Sequence, residues 1–294
     1  MDARETLRRY LEQRRELGES ELVLDTLTVE ETLRLLGAGA ATGPSKRAEA
    51  ADWRTVVRAA GGAPDPVVHA PVTRPSVSLE SPIEGVPTGI IVGGAARAIA
   101  DDPAFKLASL DEIAAAVSTC RRCPLYATAT NPVPGDGSPT ADFMIVGEAP
   151  GANEDEQGKP FVGQAGQLLT KIIGAIDLRR EDVFIANVLK HRPPGNRNPL
   201  PAEVTACSPY LVRQIELIRP KVLLALGTFA AQTLLETKLT IGKLRGQVHR
   251  YYGVPLVVTY HPAALLRNPA WKRPTWEDVQ LARRILDLSV APGA

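Results

Sequence analysis

The sequence predicts an α/β fold in which helices cover both faces of a parallel sheet. Two observations support this prediction. Short, continuously apolar segments alternate along the chain with longer segments whose apolar residues recur at helical spacing. The short segments lack the alternation of a half-exposed strand, as is typical of parallel strands buried on both faces. The pattern runs from about residue 107 to residue 290, which suits a single domain.

The predicted elements follow one another in a regular order. A capping box, Ser109-x-x-Glu112, begins a helix that ends near Ser118. Further helices are predicted at 164–176, 201–218, 228–235 and 276–289, and strands at 143–146, 183–188, 221–226 and 255–260. The helix at 164–176 carries its large apolar residues on one face, which is the pattern of a helix that packs on a sheet.

Residues 1–106 are predicted to be an N-terminal extension of the domain at 107–290. Two short helices, at 3–17 and 29–36, precede a stretch rich in Ala, Gly and Pro that continues to about residue 103. No period survives in that stretch, so we expect a flexible linker, with an ordered coil wrapped on the domain as the alternative. The first helix has an apolar face among charges, which suits a protein partner or, equally, a solvated helix without one.

Composition narrows the range of functions. The N-terminus is charged and no apolar segment follows it, which argues against a secretory signal, and no apolar run approaches the ~20 residues of a membrane span. The three cysteines, two of them as Cys120-x-x-Cys123, suit a metal or redox site in a reducing cytoplasm. Residues 108–294 hold 21 Lys and Arg against 17 Asp and Glu, which is compatible with a phosphate backbone as partner.

Polar residues follow the predicted strands and should meet at one edge of the sheet. The first strand ends in Gly147-Glu-Ala-Pro-Gly151, a tight turn that delivers the carboxylate of Glu148 to the edge where α/β proteins bind ligands. A second apolar turn, Pro160-Phe-Val-Gly163, is able to lay the ring of Phe161 over the same crevice. The amide of Asn187 ends a later strand and is either a satisfied buried group or a reader of a polar ligand edge.

His261 ends the last predicted strand and is followed by Pro262. The segment continues as Ala-Ala-Leu265-Leu266-Arg267, which combines an apolar wedge with a basic residue. Such a combination is suited to separating a base from a nucleic-acid duplex. Arg197 and Arg245 belong to other basic loops that are candidates for contacts with phosphates.

Taken together, these motifs resemble family 4 uracil-DNA glycosylases. The resemblance rests on the turns at 147–151 and 160–163, on Asn187-Val188, on Arg192-Pro-Pro-Gly-Asn-Arg-Asn-Pro199 and on His261-Pro262. It covers about residues 108–288 and excludes residues 1–107. It implies a three-layer αβα sandwich on a four-stranded parallel sheet, an iron–sulfur cluster, and excision of uracil from single- or double-stranded DNA in the cytoplasm, at the nucleoid.

The resemblance also implies roles for the residues at the sheet edge. Glu148 would position the water that attacks the deoxyribose, and Phe161 would stack on the uracil. Asn187 would bind the O4 and N3–H edge of uracil, and His261 would stabilise the negative charge that grows on O2. Gly147 and Ala149 would line the substrate site; Leu265, Leu266, Arg267, Arg245 and Arg197 would contact DNA. No metal takes part in this chemistry.

The chain departs from the family at the cluster. The family pattern has four cysteines, and here Cys120, Cys123 and Cys207 match it while His191 occupies the third position. Histidine is a competent ligand of iron in Fe–S proteins and of zinc. Either His191 completes a Cys3His site that holds a structural [4Fe–4S] cluster or Zn²⁺, or the cluster is lost and the cysteines are remnants.

Two other functions compete with excision. One is a protein that captures uracil-containing DNA by a stable covalent bond; the related capture proteins carry a basic, His-bearing insertion after the Arg-Pro-Pro position, and this chain lacks it. The other is a non-catalytic Fe–S module that binds DNA. Generic nucleotide binding is disfavoured because no glycine-rich phosphate loop follows any strand.

Overall fold

The computed structural model of the chain describes residues 86–92 and 102–290. Its sheet has seven strands in the order β1-β6-β7-β5-β3-β4-β2. The strands are β1 (Thr88–Val92), β2 (Asp136–Gly137), β3 (Phe143–Gly147), β4 (Phe184–Asn187), β5 (Val222–Leu226), β6 (Val248–Tyr251) and β7 (Val254–Thr259). The α-helices are α1 (Leu110–Ser118), α2 (Ala152–Gln157), α3 (Gln164–Gly174), α4 (Pro201–Ile218), α5 (Gly227–Leu234), α6 (Ile241–Leu244), α7 (Pro262–Arg267) and α8 (Lys272–Val290). Short 3-10 helices lie at Pro103–Lys106, Pro124–Ala127, Pro194–Asn196 and Pro269–Trp271.

The four predicted strands are confirmed as the centre of the sheet. Strands β7, β5, β3 and β4 are consecutive neighbours, and every pairing among them is parallel. Three strands that the sequence analysis did not predict extend this core: β2 pairs antiparallel with β4, β6 pairs antiparallel with β7, and β1 pairs parallel with β6. The sheet therefore has seven strands rather than four, around an unchanged parallel core.

Strand β3 shows why the molecule has three layers. Its residues point alternately to the two faces of the sheet, and both sets are buried. Met144 and Val146 pack on one face against α4 and α5, whereas Phe143 and Ile145 pack on the other face against α3 and α8. A continuously apolar strand is thus explained by burial on both sides, and the predicted αβα sandwich is confirmed.

All five helices predicted after residue 107 are present, with small shifts at their ends. Ser109 caps α1 as expected, since its hydroxyl accepts a hydrogen bond from the Glu112 N–H at 3.1 Å. The last helix begins at Lys272, four residues before the predicted start. Helices α2, α6 and α7 were not predicted because each has only four to six residues. Among the described residues, no helix combines the length and apolarity needed to cross a membrane.

Strand β1 lies within the stretch that the sequence analysis assigned to the linker. Thr88-Gly-Ile-Ile-Val92 is a short β-branched run after Pro87, too brief to stand out among its Pro- and Gly-rich neighbours. Its Ile90 N–H donates to Nδ1 of the fully buried His249 at 2.9 Å, and the opposite ring nitrogen of His249 is 2.7 Å from the Leu244 carbonyl. For residues 88–92 the structure therefore shows sheet instead of linker. The predicted helices at 3–17 and 29–36, and the predicted linker at 37–85 and 93–101, lie outside the described residues.

Candidate active site

The loops after β3 and β4 stay paired beyond the ends of the strands. Gly147 is in register with Asn187, and the Val188 N–H donates to the Gly147 carbonyl at 2.9 Å. The Leu189 N–H continues the ladder by donating to the Glu148 carbonyl at 3.1 Å. The carboxylate-bearing loop and the amide-bearing loop are therefore held side by side at the edge of the sheet where the sequence predicted a site.

Three of the predicted residues converge where Gly147 has no side chain. A Cβ at this position would lie 2.4 Å from Oδ1 of Asn187 and 2.7 Å from Cζ of Phe161. Asn187 is 1% exposed, and its Oδ1 has no hydrogen-bond partner within the structure. Because a buried acceptor without a partner costs free energy, this oxygen is suited to a ligand that donates a hydrogen bond. Ala149 lies half-buried in the adjoining loop and packs on the core.

Phe161 is buried in an unusual backbone conformation. Its φ of 53° is in the left-handed region, which bulky side chains rarely adopt. Its carbonyl carbon and oxygen lie directly against Gly166 in α3, where a Cβ would come within 1.8 Å of that oxygen. The ring centroid of Phe161 is 5.4 Å from that of His261, with a tilt of 32° between the planes. Phe161 and His261, which are a hundred residues apart in sequence, thus share one wall of the site.

His261 is fixed as the N-cap of α7. Its Nδ1 accepts the Ala263 N–H at 3.2 Å, so the proton of a neutral ring resides on Nε2. Burial and, to a smaller extent, the charge of Arg267 lower the pKa of His261 to about 4, and the charge of Glu154 opposes this shift. The ring is therefore neutral at pH 7 and presents one N–H donor from Nε2.

The sequence analysis missed Glu154, whose carboxylate connects the two loops of the site. This residue is the third of α2 and accepts hydrogen bonds from the N–H groups of Gly151, Val162 and Gly163. A glutamate three positions after a glycine that begins a helix is the pattern that could have revealed it. No such pattern relates it to residues 162 and 163, because that contact depends on the fold.

Lys190 is a second residue that the sequence analysis missed. Its side chain is fully buried, and Nζ donates to the Asn187 carbonyl at 3.0 Å and to Oε1 of Gln214 at 2.7 Å. Burial lowers its pKa to about 7. Lys190 thus supports the backbone that carries the Asn187 amide. A lysine directly after the apolar pair Val188-Leu189 is the only signal in the sequence.

Of the four predicted cluster ligands, only Cys123 and Cys207 are in direct contact with each other among the described residues. The Cys207 thiol donates a hydrogen bond to the sulfur of Cys123, which lowers the pKa of Cys123 to about 6 and raises that of Cys207. Cys120 and His191 both line a cavity of about 480 Å³. Within residues 86–92 and 102–290, no three metal-binding side chains converge closely enough to hold a single ion. Three thiols and an imidazole are nevertheless a donor set that suits iron or zinc.

The predicted apolar wedge divides into a buried and an exposed residue. Leu265 is 1% exposed and belongs to the core, because it lies on the inner face of the short helix α7. Leu266 is 47% exposed, and Arg267 follows it on the surface. Of the two leucines, Leu266 is therefore the one that is accessible to DNA.

Arg197 and Arg245, two of the three basic residues expected to contact DNA, are both engaged within the protein. Arg197 forms a two-pronged ion pair with the buried carboxylate of Glu203, with distances of 2.6 and 2.9 Å. Nε of Arg245 donates to Asp278 at 2.6 Å, and its guanidinium lies 4.8 Å from the ring centroid of Tyr260, next to His261. Both arginines therefore form ion pairs within the protein, which sequence spacing alone did not indicate.

Comparison with known proteins identifies the family. Residues 134–281 match the model of the uracil DNA glycosylase superfamily. Over 169 residues the chain is 51% identical to the type-4 uracil-DNA glycosylase of Archaeoglobus fulgidus, a match that covers 55% of this chain and 85% of that protein. The chain belongs to the type-4 uracil-DNA glycosylases. Further type-4 relatives are those of Saccharolobus solfataricus, 48% identical over 60% of this chain and 87% of the relative, and Sulfurisphaera tokodaii, 46% identical over 63% and 86%.

The superfamily match includes both loops and all the strand ends of the site. It begins after Cys120 and Cys123 and after β1, so these features lie outside the matched residues. The resemblance drawn from the short motifs is confirmed at the level of the type-4 family.

Proposed function

We propose that this type-4 family member removes uracil from DNA by hydrolysing the bond between the base and its deoxyribose, as an enzyme of DNA repair. The observation that carries the proposal is the buried Oδ1 of Asn187, which has no hydrogen-bond partner and lies beside Gly147, as does the ring of Phe161. A flat base that donates one hydrogen bond satisfies this acceptor, and the aromatic ring offers it a stacking surface.

Asn187 accounts for the choice of uracil over cytosine. The N3–H of uracil donates to Oδ1, and the side-chain NH2 donates to O4. Cytosine has no hydrogen on N3 and carries an amine in place of O4. Cytosine would therefore leave Oδ1 of Asn187 unpaired and place its own amine against the Asn187 NH2 group, so that two donors face each other. Each unmade hydrogen bond costs about 1–3 kcal/mol.

The chemistry is assigned to Glu148 and His261. Glu148 lies at the edge of the site on the loop that is paired with the Asn187 strand, and its carboxylate would position a water for attack on C1′ and favour the positive charge of the sugar. Uracil leaves with the bonding electrons on N1, and its O2 gains negative charge. The neutral ring of His261 would donate its Nε2–H to that oxygen, a role supported by the Nδ1 contact with Ala263.

Access to the base requires the nucleotide to leave the DNA stack. The exposed Leu266 is suited to fill the gap in the stack, and Arg267 to contact a phosphate. Such a wedge serves double-stranded DNA, whereas single strands reach the pocket without unpairing. We therefore assign both kinds of uracil-containing DNA as substrates.

We further propose that Cys120, Cys123, His191 and Cys207 hold a [4Fe–4S] cluster with a structural role. Support comes from the donor set, from the contact between Cys123 and Cys207, and from the cavity that Cys120 and His191 both line. A cluster of several iron atoms accepts ligands that lie further apart than those of one ion. Bound there, the cluster would supply cross-links between the Cys120–Cys123 loop, the loop at 191 and helix α4. It takes no part in the reaction.

Visible absorption, with iron and sulfide analysis of anaerobically purified protein, tests the cluster. The proposal predicts a brown preparation, loss of iron in His191→Ala, and retention in His191→Cys, which restores four thiolates. A colourless protein that contains zinc would show that Zn²⁺, and not an iron–sulfur cluster, occupies the site. A preparation free of both metals would reject the site.

The function is tested with uracil in U:G duplex, U:A duplex and single-stranded oligonucleotides. Turnover to abasic DNA is expected, followed by strand cleavage on alkaline treatment. A denaturing gel of the same reactions separates the alternatives: a protein band shifted by attached DNA indicates covalent capture instead of turnover. Binding without any abasic product would indicate a non-catalytic module.

A further inference from the structure

The Glu154 carboxylate binds two loops that carry different parts of the site. We call Gly147–Gly151, which carries Glu148, the site loop, and Pro160–Gly163 the aromatic turn. Oε2 of Glu154 accepts the Gly151 N–H of the site loop at 3.1 Å. Oε1 accepts the Val162 and Gly163 N–H groups of the aromatic turn at 2.8 and 3.0 Å. One side chain therefore fixes the spacing between the two loops.

The aromatic turn needs such support because its backbone is strained. Phe161 has a φ of 53°, and a conformation of this kind persists for a bulky residue only where the surroundings enforce it. The constraint is applied on both sides of Phe161. Glu154 holds the two N–H groups that follow it, and Nη2 of Arg180 donates to the Pro160 carbonyl that precedes it at 2.6 Å.

A direct chemical role for Glu154 is disfavoured by the same contacts. Both of its oxygens are engaged with backbone donors, whereas a residue that activates water needs a free lone pair directed at that water.

We propose that Glu154 is a positioning residue that holds the Phe161 ring at a fixed distance from the site loop, so that a bound uracil meets Glu148 and the ring together. This inference rests on the proposed excision of uracil. Geometry of this kind matters because small displacements of groups around a reacting atom cost large factors in rate.

The test compares Glu154→Ala and Glu154→Gln with the wild type in single-turnover excision from a single-stranded uracil oligonucleotide. Alanine removes both acceptor oxygens and therefore all three hydrogen bonds. Glutamine keeps one acceptor oxygen, but its NH2 group faces the remaining backbone N–H groups and cannot accept their hydrogen bonds. We expect a loss of at least about tenfold in rate for alanine, which corresponds to ~1.4 kcal/mol, and a smaller loss for glutamine. The matched control is Glu156→Gln, an exposed glutamate on the same helix, which should match the wild type.

Repeating Glu154→Ala in a Phe161→Ala background separates positioning from general stability. If Glu154 acts by placing the ring, its removal has little further effect once the ring is gone, so the losses are not multiplicative. Thermal unfolding of each variant shows that it is folded at the assay temperature, and Glu154→Gln serves if alanine is not.

The outcomes distinguish this inference from the proposed function. Multiplicative losses in the double variant, or a Glu154→Ala rate within about twofold of an active wild type, would overturn the positioning role alone. A folded wild type that releases no uracil would instead overturn the proposed function.

Discussion

We propose that base selection depends on the side-chain amide of Asn187. In Asn187→Asp, the carboxylate still accepts from N3–H of uracil but no longer donates to O4, whereas it accepts from the cytosine amine. We expect excision of uracil to fall about 10- to 100-fold, as for one unmade buried hydrogen bond of ~1–3 kcal/mol. Discrimination against cytosine should narrow at the same time. Paired oligonucleotides that differ only in this base measure both effects, and unchanged selectivity would exclude Asn187 as the reader of the base.

The low pKa of His261 predicts activity in mild acid. Because the pKa lies at about 4 instead of 6.5, the ring remains a neutral Nε2–H donor through the range in which an ordinary histidine gains a proton. We expect the acid limb of kcat/KM that belongs to His261 near pH 4. Replacing the nearby Arg267 with glutamine should move this limb to higher pH, since the arginine charge lowers the pKa. A limb near pH 6.5 in the wild type would contradict this assignment.

The lowered pKa of His261 also makes the free energy of unfolding depend on pH. Between about pH 4 and pH 6.5 the unfolded chain binds a proton at residue 261 that the folded chain does not. The contribution of His261 to the free energy of unfolding is therefore intact above pH 6.5 and decreases as the pH falls through this window.

Residue identities at the strand ends were predictable, but their surroundings were not. The motifs around Glu148, Phe161, Asn187 and His261 are local, so the sequence indicates them directly. The burial of Leu265 follows from the orientation of a six-residue helix, which the sequence does not specify. Two of the three contacts of Glu154 reach residues eight and nine positions further along the chain, and only the fold brings these groups together.

At the scale of elements, close packing of the site loop against β4 and the aromatic turn brings the proposed site residues together. Gly147→Ala places a methyl group into the space between Asn187 and Phe161, where it would meet atoms at 2.4 and 2.7 Å. We expect at least about a 100-fold loss of excision from displacement of these groups, as for the loss of one oriented catalytic group. The measurement is the single-turnover rate together with circular dichroism.

Gly174→Ala is the matched control for this change. Gly174 ends α3, and a Cβ there would have no neighbour within 4 Å. It should leave the rate unchanged and stabilise the helix slightly. Equal rates for Gly147→Ala and Gly174→Ala would show that the space beside Gly147 does not contribute to the site.

The central strands were predictable because burial on both faces leaves a continuous apolar run. The strands outside the parallel core, β1, β2 and β6, have two to five residues and mixed polarity, so tertiary pairing and not local pattern determines them. Strand β1 illustrates the point, since it is attached to the sheet through the side chain of His249, 159 residues away from Ile90.

For the whole molecule, the position of β1 defines what can be removed from the N-terminus. All the proposed catalytic groups follow residue 106, so we expect that chains beginning at residue 86 or at residue 104 both excise uracil. The shorter chain loses β1, which leaves the edge of β6 and the ring of His249 uncovered. It should unfold at a lower temperature, by about 2–4 °C for each kcal/mol that the strand contributes.

Thermal unfolding and excision rates of the two truncated chains test this expectation against the full-length protein. Equal unfolding temperatures would show that β1 adds nothing to stability. A folded chain from residue 86 without activity would show that residues 1–85 contribute to catalysis, contrary to the domain boundary that we propose.

The central claim is that the pocket at the ends of β3, β4 and β7 binds and releases uracil. The most direct test is the amount of free base released by the full-length protein from two single-stranded oligonucleotides that are identical except for uracil or cytosine at one position. We predict release of uracil with repeated turnover and no release of cytosine above background. Absence of uracil release by folded protein, or release of both bases at similar rates, would contradict the claim.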